Sequence, residues 1–207
     1  MKFHCPFDQQ KALIIMRTTI LSTLLLSLLL ALLVTGCGKK EEQSNAGAAG
    51  SAPAVKNVAP VLTVERRDGR VPNFTWKDAD GKDVSFDSFK GKATLINFWA
   101  TWCVPCKKEI PDLIAISNEL AAKDIKVIGI STDRGLSVSE DVGKFVQEKG
   151  IPYMILLSSD ELEEAFGNIR MIPASYIVDA DGKVVKELVG IQSKEAFIAA
   201  ALAAAGQ

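Results

Sequence analysis

The segment Lys92–Ala100, KATLINFWA, is an almost unbroken apolar and β-branched run, and only Thr101 and Trp102 separate it from Cys103-Val104-Pro105-Cys106-Lys107-Lys108. A strand with apolar side chains on both faces must be covered on both faces, which places it in the middle of a sheet. Two further runs of this kind follow, Ile125–Thr132 (IKVIGIST) and Tyr153–Ser158 (YMILLS). Between the first two, Leu113, Ile116 and Leu120 recur at helical spacing in a helix predicted over Cys103–Lys123, with Pro111 expected to kink it. Between the second and third, Val138–Lys149 reads as an amphipathic helix closed by Gly150. Strands alternating with helices specify a parallel core with helices on both faces.

Turn chemistry marks the flanks. Two β-like stretches around Asp80-Gly81 predict an N-terminal hairpin, and Ala174–Gly190, centred on Asp181-Gly182, predicts a closing hairpin that adds an antiparallel edge. Glu161–Phe166 reads as a short helix, and Ser193 as the N-cap of a final Ala-rich one. The expected order is hairpin, β, α, β, α, β, α, ββ, α.

Ahead of this domain stands a different kind of sequence. Arg17 precedes Ile20–Val34, ILSTLLLSLLLALLV, and small residues follow. Charged, apolar and small-residue regions in that order make an export signal over residues 1–36, and the apolar run is short for a membrane span. Val34-Thr35-Gly36-Cys37 resembles a bacterial lipobox, which implies that Cys37 is lipidated and becomes the mature N-terminus. An uncleaved anchor helix is the alternative; either puts the rest of the chain outside the cytoplasm at a membrane, on the periplasmic side in a Gram-negative cell. Counted from Met16 the signal has ordinary proportions, so translation is expected to start there. Residues 37–60 contain no aromatic side chain and are rich in Ala, Gly, Ser and charge, the composition of a flexible tether; the folded domain is expected over 61–207.

His4 is the single histidine of the 207 residues, so a chain cleaved before Cys37 has none. That excludes a Ser-His-Asp triad, a Cys-His dyad and histidine-bound zinc. A net charge of −1 gives no electrostatic footprint for nucleic acid. Arg66, Arg67 and Arg70 cluster near the domain start, where a solvated surface is the expected role and attraction to anionic lipid the alternative.

Three chemistries compete for Cys103 and Cys106. A structural disulfide across so tight a loop contributes little entropically. A four-ligand zinc site needs a second pair of thiolates or histidines that the mature chain lacks, which leaves copper(I) on two thiolates. Dithiol–disulfide exchange fits best. Cys103 stands where a helix begins, so unpaired N–H groups and the helix dipole favour its thiolate, and Lys107 and Lys108 add positive charge. Pro105 suits the first turn because it has no N–H to leave unpaired. Cys103 is then the exposed, acidic nucleophile and Cys106 the more buried resolving partner, the two forming the redox disulfide.

NFWATWCVPCKKEIP resembles the active-site segment of the thioredoxin fold, in particular the membrane-tethered TlpA/ResA-like branch. The likeness extends to GKDVSFDSFKGKATLINFWATWC, IKVIGISTD and IRMIPASYIVDADGKVV, covering Phe74 to Phe197. It implies an α/β three-layer fold, a central mixed sheet flanked by helices, with an N-terminal hairpin and a helix-containing insert. It also implies that Pro173 is cis and faces the cysteine pair, with the backbone at Ile172 and Pro173 receiving a substrate strand. Trp102 and Pro105 are the further substrate-binding candidates beside the pair; Trp99, alternating with Leu95, is expected in the core. Glu109 lies three residues beyond Cys106, on the same helix face, where a carboxylate can move protons. Cytoplasmic thioredoxins carry an Asp where this chain has Asn97, which cannot titrate, so either Glu109 supplies that function or the relay is absent.

The resemblance implies an extracytoplasmic oxidoreductase that uses no cofactor or metal. It exchanges dithiols with cysteine-bearing proteins, acts as a reductant fed by a membrane thiol transporter, and serves in cytochrome c maturation. The rivals are a peroxiredoxin-like peroxidase and a copper-binding lipoprotein. Against the first, Ala100 stands three residues before Cys103, where a peroxidatic cysteine has Thr or Ser. Against the second, related copper proteins add a downstream histidine.

Overall fold

The computed structural model describes residues 57–207; the expected signal, Cys37 and all but the end of the expected tether lie outside them. Nine strands follow in order: β1 (Val58–Pro60), β2 (Thr63–Glu65), β3 (Asn73–Lys77), β4 (Asp83–Ser85), β5 (Thr94–Trp99), β6 (Lys126–Ser131), β7 (Met154–Leu157), β8 (Ala174–Val178) and β9 (Val184–Val189). The helices are α1 (Val104–Ala121), α2 (Val138–Lys149), α3 (Asp160–Ala165) and α4 (Lys194–Ala204), and a 3-10 turn spans Phe86–Phe89.

Six strands form the main sheet in the order β1-β7-β6-β5-β8-β9. The first four run parallel, β8 is antiparallel to β5, and β9 to β8, so the sheet is mixed as expected. The central strand is fully buried along its length. Its period-2 alternation divides the core. Leu95 and Trp99 face a layer made by Leu113, Ile116 and Leu120 of α1, Val142 and Val146 of α2, and Phe197 of α4. Ile96 and Phe98 face Phe74, Trp76 and Phe86 of the second sheet and 3-10 turn, together with Leu162 of α3. Asn97 shares parity with Leu95 and Trp99, so its polar side chain points at the helical layer.

Gly129 of β6 is closely covered by side chains of the neighbouring strands. A Cβ there would lie 2.6 Å from Ile155 Cδ1 and 3.0 Å from Trp99 Nε1, so the residue's lack of a side chain lets these groups close over it. Gly150 ends α2 in the left-handed region at φ 63°, a C-cap conformation that glycine adopts without a Cβ clash.

Two short strands fall where the sequence has no strand pattern. β1 lies within the segment expected to be a tether, and it pairs in parallel with β7 through residues 58–60. Asn57 anchors its start by donating from Nδ2 to the carbonyls of Ile151 (3.0 Å) and Tyr153 (2.8 Å). β2 joins β3 and extends the expected hairpin to a three-stranded sheet. Two of the three clustered arginines are engaged, Arg66 with Glu164 and Arg67 with Asp87 and Glu65, while Arg70 is exposed with no ion-pair partner among the described residues. The Arg67 guanidinium holds the Asp87 carboxyl down at about 2. Among the described residues no helix is long and apolar enough to cross a membrane.

Candidate active site

The central strand β5 ends at Trp99, the chain turns through Ala100–Trp102, and Cys103 begins α1 as its N-cap. The Cys103 N–H donates to the Ala100 carbonyl at 3.1 Å, closing the turn. Its sulfur accepts the Cys106 N–H at 3.2 Å, so one of the helix's unpaired N-terminal donors is aimed at Sγ. Pro105 occupies the second helical position, where a missing N–H costs nothing. Cys103 and Cys106 are joined as a disulfide, with Cα atoms 5.3 Å apart.

The turn before the pair is held from β6. Asp133, just past that strand, accepts the Thr101 N–H at 2.9 Å and the Thr101 hydroxyl at 2.6 Å, and also the Ser131 hydroxyl at 2.8 Å. Opposite, the Ile172–Pro173 peptide is cis, as expected. The Ile172 carbonyl oxygen lies 3.8 Å from Cys103 Sγ. That is a contact in the disulfide, whose sulfur carries no proton; a Cys103 thiol could donate across it. The Pro173 carbonyl accepts the Gly190 N–H at 2.8 Å, tying this segment to the end of β9.

Glu109 is 1% exposed, on the α1 face that meets β5. Its Oε2 accepts from Asn97 Nδ2 at 3.1 Å and its Oε1 from the Gln192 N–H at 2.9 Å. Asn97 Nδ2 also donates to Ser175 Oγ at 2.9 Å. Burial pushes the Glu109 carboxyl up to about 6; the Gln192 and Asn97 hydrogen bonds hold it from rising further, and the charge of Asp112 adds slightly to the rise. A carboxyl in that range exchanges protons readily near neutral pH.

The expected site residues therefore converge. Cys103, Cys106, Ile172 and Pro173 lie together past the end of the central strand β5, Glu109 lies one turn beyond Cys106 on α1, Pro105 lies in the first turn of α1, and Trp102 stands 66% exposed beside the pair. Trp99 is buried and packs its ring 5.3 Å from that of Phe145. One expectation is corrected: Cys103 is only 4% exposed, against 1% for Cys106, because the N-cap position turns its sulfur inward beneath the Ile172–Pro173 segment. Ser175, Gln192 and Asp133 were not anticipated. Ser175 had a usable signal, being the lone aliphatic hydroxyl in the strand ASYIV and lying directly opposite Asn97 in the β5–β8 register. Among the described residues no group of three or more His, Cys, Asp and Glu side chains is arranged to hold a metal ion.

Comparison with known proteins gives concordant results. The family model described as AhpC/TSA matches residues 68–187. The thiol-disulfide oxidoreductase ResA of Bacillus thuringiensis subsp. konkukian is 34% identical over 125 residues, 60% of this chain and 70% of that protein. A thiol:disulfide interchange protein of the thioredoxin family from Chlorobium tepidum superposes with a TM-score of 0.59 at 34% identity, covering 68% of this chain and 98% of its own. The exposed lipoprotein thioredoxin Etrx1 of Streptococcus pneumoniae superposes at 0.53 with 26% identity, covering 61% of this chain and 96% of its own.

Proposed function

The chain belongs to the AhpC/TSA family and is a ResA-like thiol–disulfide oxidoreductase of thioredoxin-like fold, and from that premise we propose that Cys103 and Cys106 carry the exchange. The observation behind this is the disulfide at the start of α1, with the Cys106 N–H directed at Cys103 Sγ. In the reduced protein the Cys103 thiolate attacks a client disulfide, displacing one client sulfur as thiolate and forming a mixed disulfide. Cys106 then attacks Cys103 Sγ, which releases the client as a dithiol and restores the internal disulfide. Glu109 takes the Cys106 proton in that second step and returns it in the reverse direction. Trp102, Pro105 and the Ile172–Pro173 backbone form the surface that receives the client chain.

The same reading extends to the setting. The sequence around Cys37 supports a lipid-anchored protein outside the cytoplasm, and the structural relative described as an exposed lipoprotein has the same character. Residues 1–36 act as the signal, 37 to the start of β1 as the tether, and the remainder as the redox domain. There the protein is a reductant, recharged by a membrane thiol transporter, whose clients include the haem-binding cysteines of apocytochrome c.

The test is to mix the reduced protein with a peptide whose two cysteines, spaced as a haem-binding pair, are oxidised. Formation of the peptide dithiol, abolished by Cys103→Ser, supports the reading. A peptide left oxidised by the fully reduced protein contradicts it. The family description also admits peroxide reduction, although Ala100 stands where a peroxidatic site has a hydroxyl. Peroxide consumption faster than peptide reduction would favour that second reading.

A further inference from the structure

Three residues, Gly190-Ile191-Gln192, join β9 to Ser193, the N-cap of α4, and they are held at both ends. The Gly190 N–H donates to the Pro173 carbonyl at 2.8 Å. The Gln192 N–H donates to Glu109 Oε1 at 2.9 Å. Between them the Gln192 side chain folds back, its Nε2 donating to the carbonyls of Val189 (3.3 Å) and Gly190 (3.0 Å). Ser193 accepts the Ala196 N–H at 3.3 Å, so the residue after the turn is fixed by the helix it caps. Gly190 has φ 80°, and a Cβ there would meet no atom within 4 Å. Its glycine serves the backbone conformation and not a crowded contact.

The two ends of this turn touch groups with different tasks. Pro173 belongs to the backbone that receives the client chain, and Glu109 takes the Cys106 proton. The other Glu109 oxygen is held from the sheet, by Asn97 of β5, which is itself bonded to Ser175 of β8. A buried carboxylate keeps its charge only through such donors. Asn97 and Ser175 are neutral, and the turn carries no charged side chain. Asp112, on α1 with Glu109 and Cys106, adds to the rise that burial causes. Tyr153, ahead of β7, is a neutral phenol whose proton burial holds far past its ordinary range. Of the two hydrogen bonds that oppose burial at Glu109, the one from Gln192 is the stronger.

We propose that Gln192 is a positioning residue of the exchange reaction: its backbone N–H fixes the carboxylate that accepts the Cys106 proton, and its link through Gly190 sets that carboxylate in register with the Pro173 backbone. The inference rests on the proposed roles of Cys106 and Glu109 and adds the element that places the acid. With dithiobis(nitrobenzoate) as the disulfide, the Cys103 thiolate displaces one thionitrobenzoate and forms a mixed disulfide. The Cys106 thiol passes its proton to Glu109, its sulfur attacks Cys103 Sγ, and the second thionitrobenzoate leaves. One protein dithiol is oxidised and one disulfide is reduced to two thiolates, so no further reactant is needed.

The experiment mixes the reduced full chain with one equivalent of dithiobis(nitrobenzoate) in a stopped-flow spectrometer across a range of pH. The first release of thionitrobenzoate reports attack by Cys103, and the second reports resolution by Cys106. In the wild-type chain the second-phase rate should rise through an inflection near pH 6, which Glu109→Gln abolishes. Gln192→Pro removes the N–H. It should raise the inflection by about one pH unit and slow the second phase at pH 6 about fivefold, with the first phase unchanged. Gly190→Ala, which strains the turn without adding a proline, should move the inflection in the same direction. Gly182→Ala is the control, because its φ of 81° imposes the same strain in equally open space at the other end of β9. It should lose similar stability and leave the inflection in place. An inflection that stays put in Gly190→Ala and Gln192→Pro, or that moves as far in Gly182→Ala, would overturn the positioning role while leaving exchange intact. An inflection that survives Glu109→Gln would overturn the choice of acid and this inference with it. Release of only one thionitrobenzoate by the wild-type chain would overturn resolution by Cys106, and both readings would fall.

Discussion

The carboxylate of Glu109, on α1, receives the side-chain amide of Asn97, on β5, at 3.1 Å across the boundary between helix layer and sheet. The Gln192 N–H reaches the other carboxylate oxygen, so a group one turn beyond Cys106 is buried with both oxygens engaged. Asn97 and Gln192 favour the charged form, burial opposes it, and burial wins.

That balance has a pH signature. The Glu109 carboxyl sits at about 6 in the folded protein against 4.5 unfolded, so the folded state holds a proton that the unfolded state has already released. Its contribution to stability is therefore fully present below pH about 4.5 and declines as pH rises through about 6, by a total on the order of 2 kcal/mol. Denaturant unfolding of the oxidised protein should show this decline, and Glu109→Gln should remove it. Subtracting the two pH profiles cancels groups such as Asp87, which titrates far lower.

Asn97→Asp places a second carboxyl against the first. Two carboxylates at hydrogen-bond distance in the core cannot both ionise, so the pair holds one proton between them at neutral pH. The variant should be destabilised by roughly 3 kcal/mol at pH 7, and by much less near pH 4.5, where a proton is readily supplied. Unfolding midpoints at the two pH values check this; an equal loss at both would mean that packing rather than charge is responsible.

Asp133 is expected to act on the turn before the disulfide. Asp133→Ala leaves the Thr101 N–H and hydroxyl without their acceptor, a loss of about 1–3 kcal/mol in unfolding free energy. Release of that turn should also change the fluorescence of Trp102, whose indole stands largely in solvent. Asp133→Asn, which retains one side-chain oxygen, should fall between the two.

Gly129→Ala tests the packing behind the site. The added methyl meets Ile155 Cδ1 at 2.6 Å in a fully buried layer, and overpacking of that kind costs about 1–3 kcal/mol. Thermal unfolding measures it, and Ile155→Val in the same chain should recover part of the loss by vacating the space that the methyl enters.

The central strands and main helices were legible in the sequence because a doubly buried strand such as β5 must be apolar throughout, and because α1 and α2 carry their periodicity openly. β1 and β2 were not. Each has three residues and owes its extended form to pairing with β7 or β3, a tertiary cause that leaves no alternation to read. The site divides in the same way. The cysteine pair, Pro173 and Glu109 could be picked out by residue type and resemblance. Gln192 could not, since it binds Glu109 through its backbone N–H, which every residue but proline possesses. The inward turn of Cys103 was equally hidden, because it depends on the Ile172–Pro173 segment, 69 residues away, arriving above the sulfur.

The most direct test of the exchange chemistry is covalent trapping with a peptide disulfide, read by mass spectrometry. Cys106→Ser should accumulate a mixed disulfide located on Cys103, because attack proceeds and resolution cannot. Cys103→Ser should accumulate far less. Equal adducts in the two variants, or an adduct on Cys106 in preference to Cys103, would contradict the assignment of Cys103 as the nucleophile.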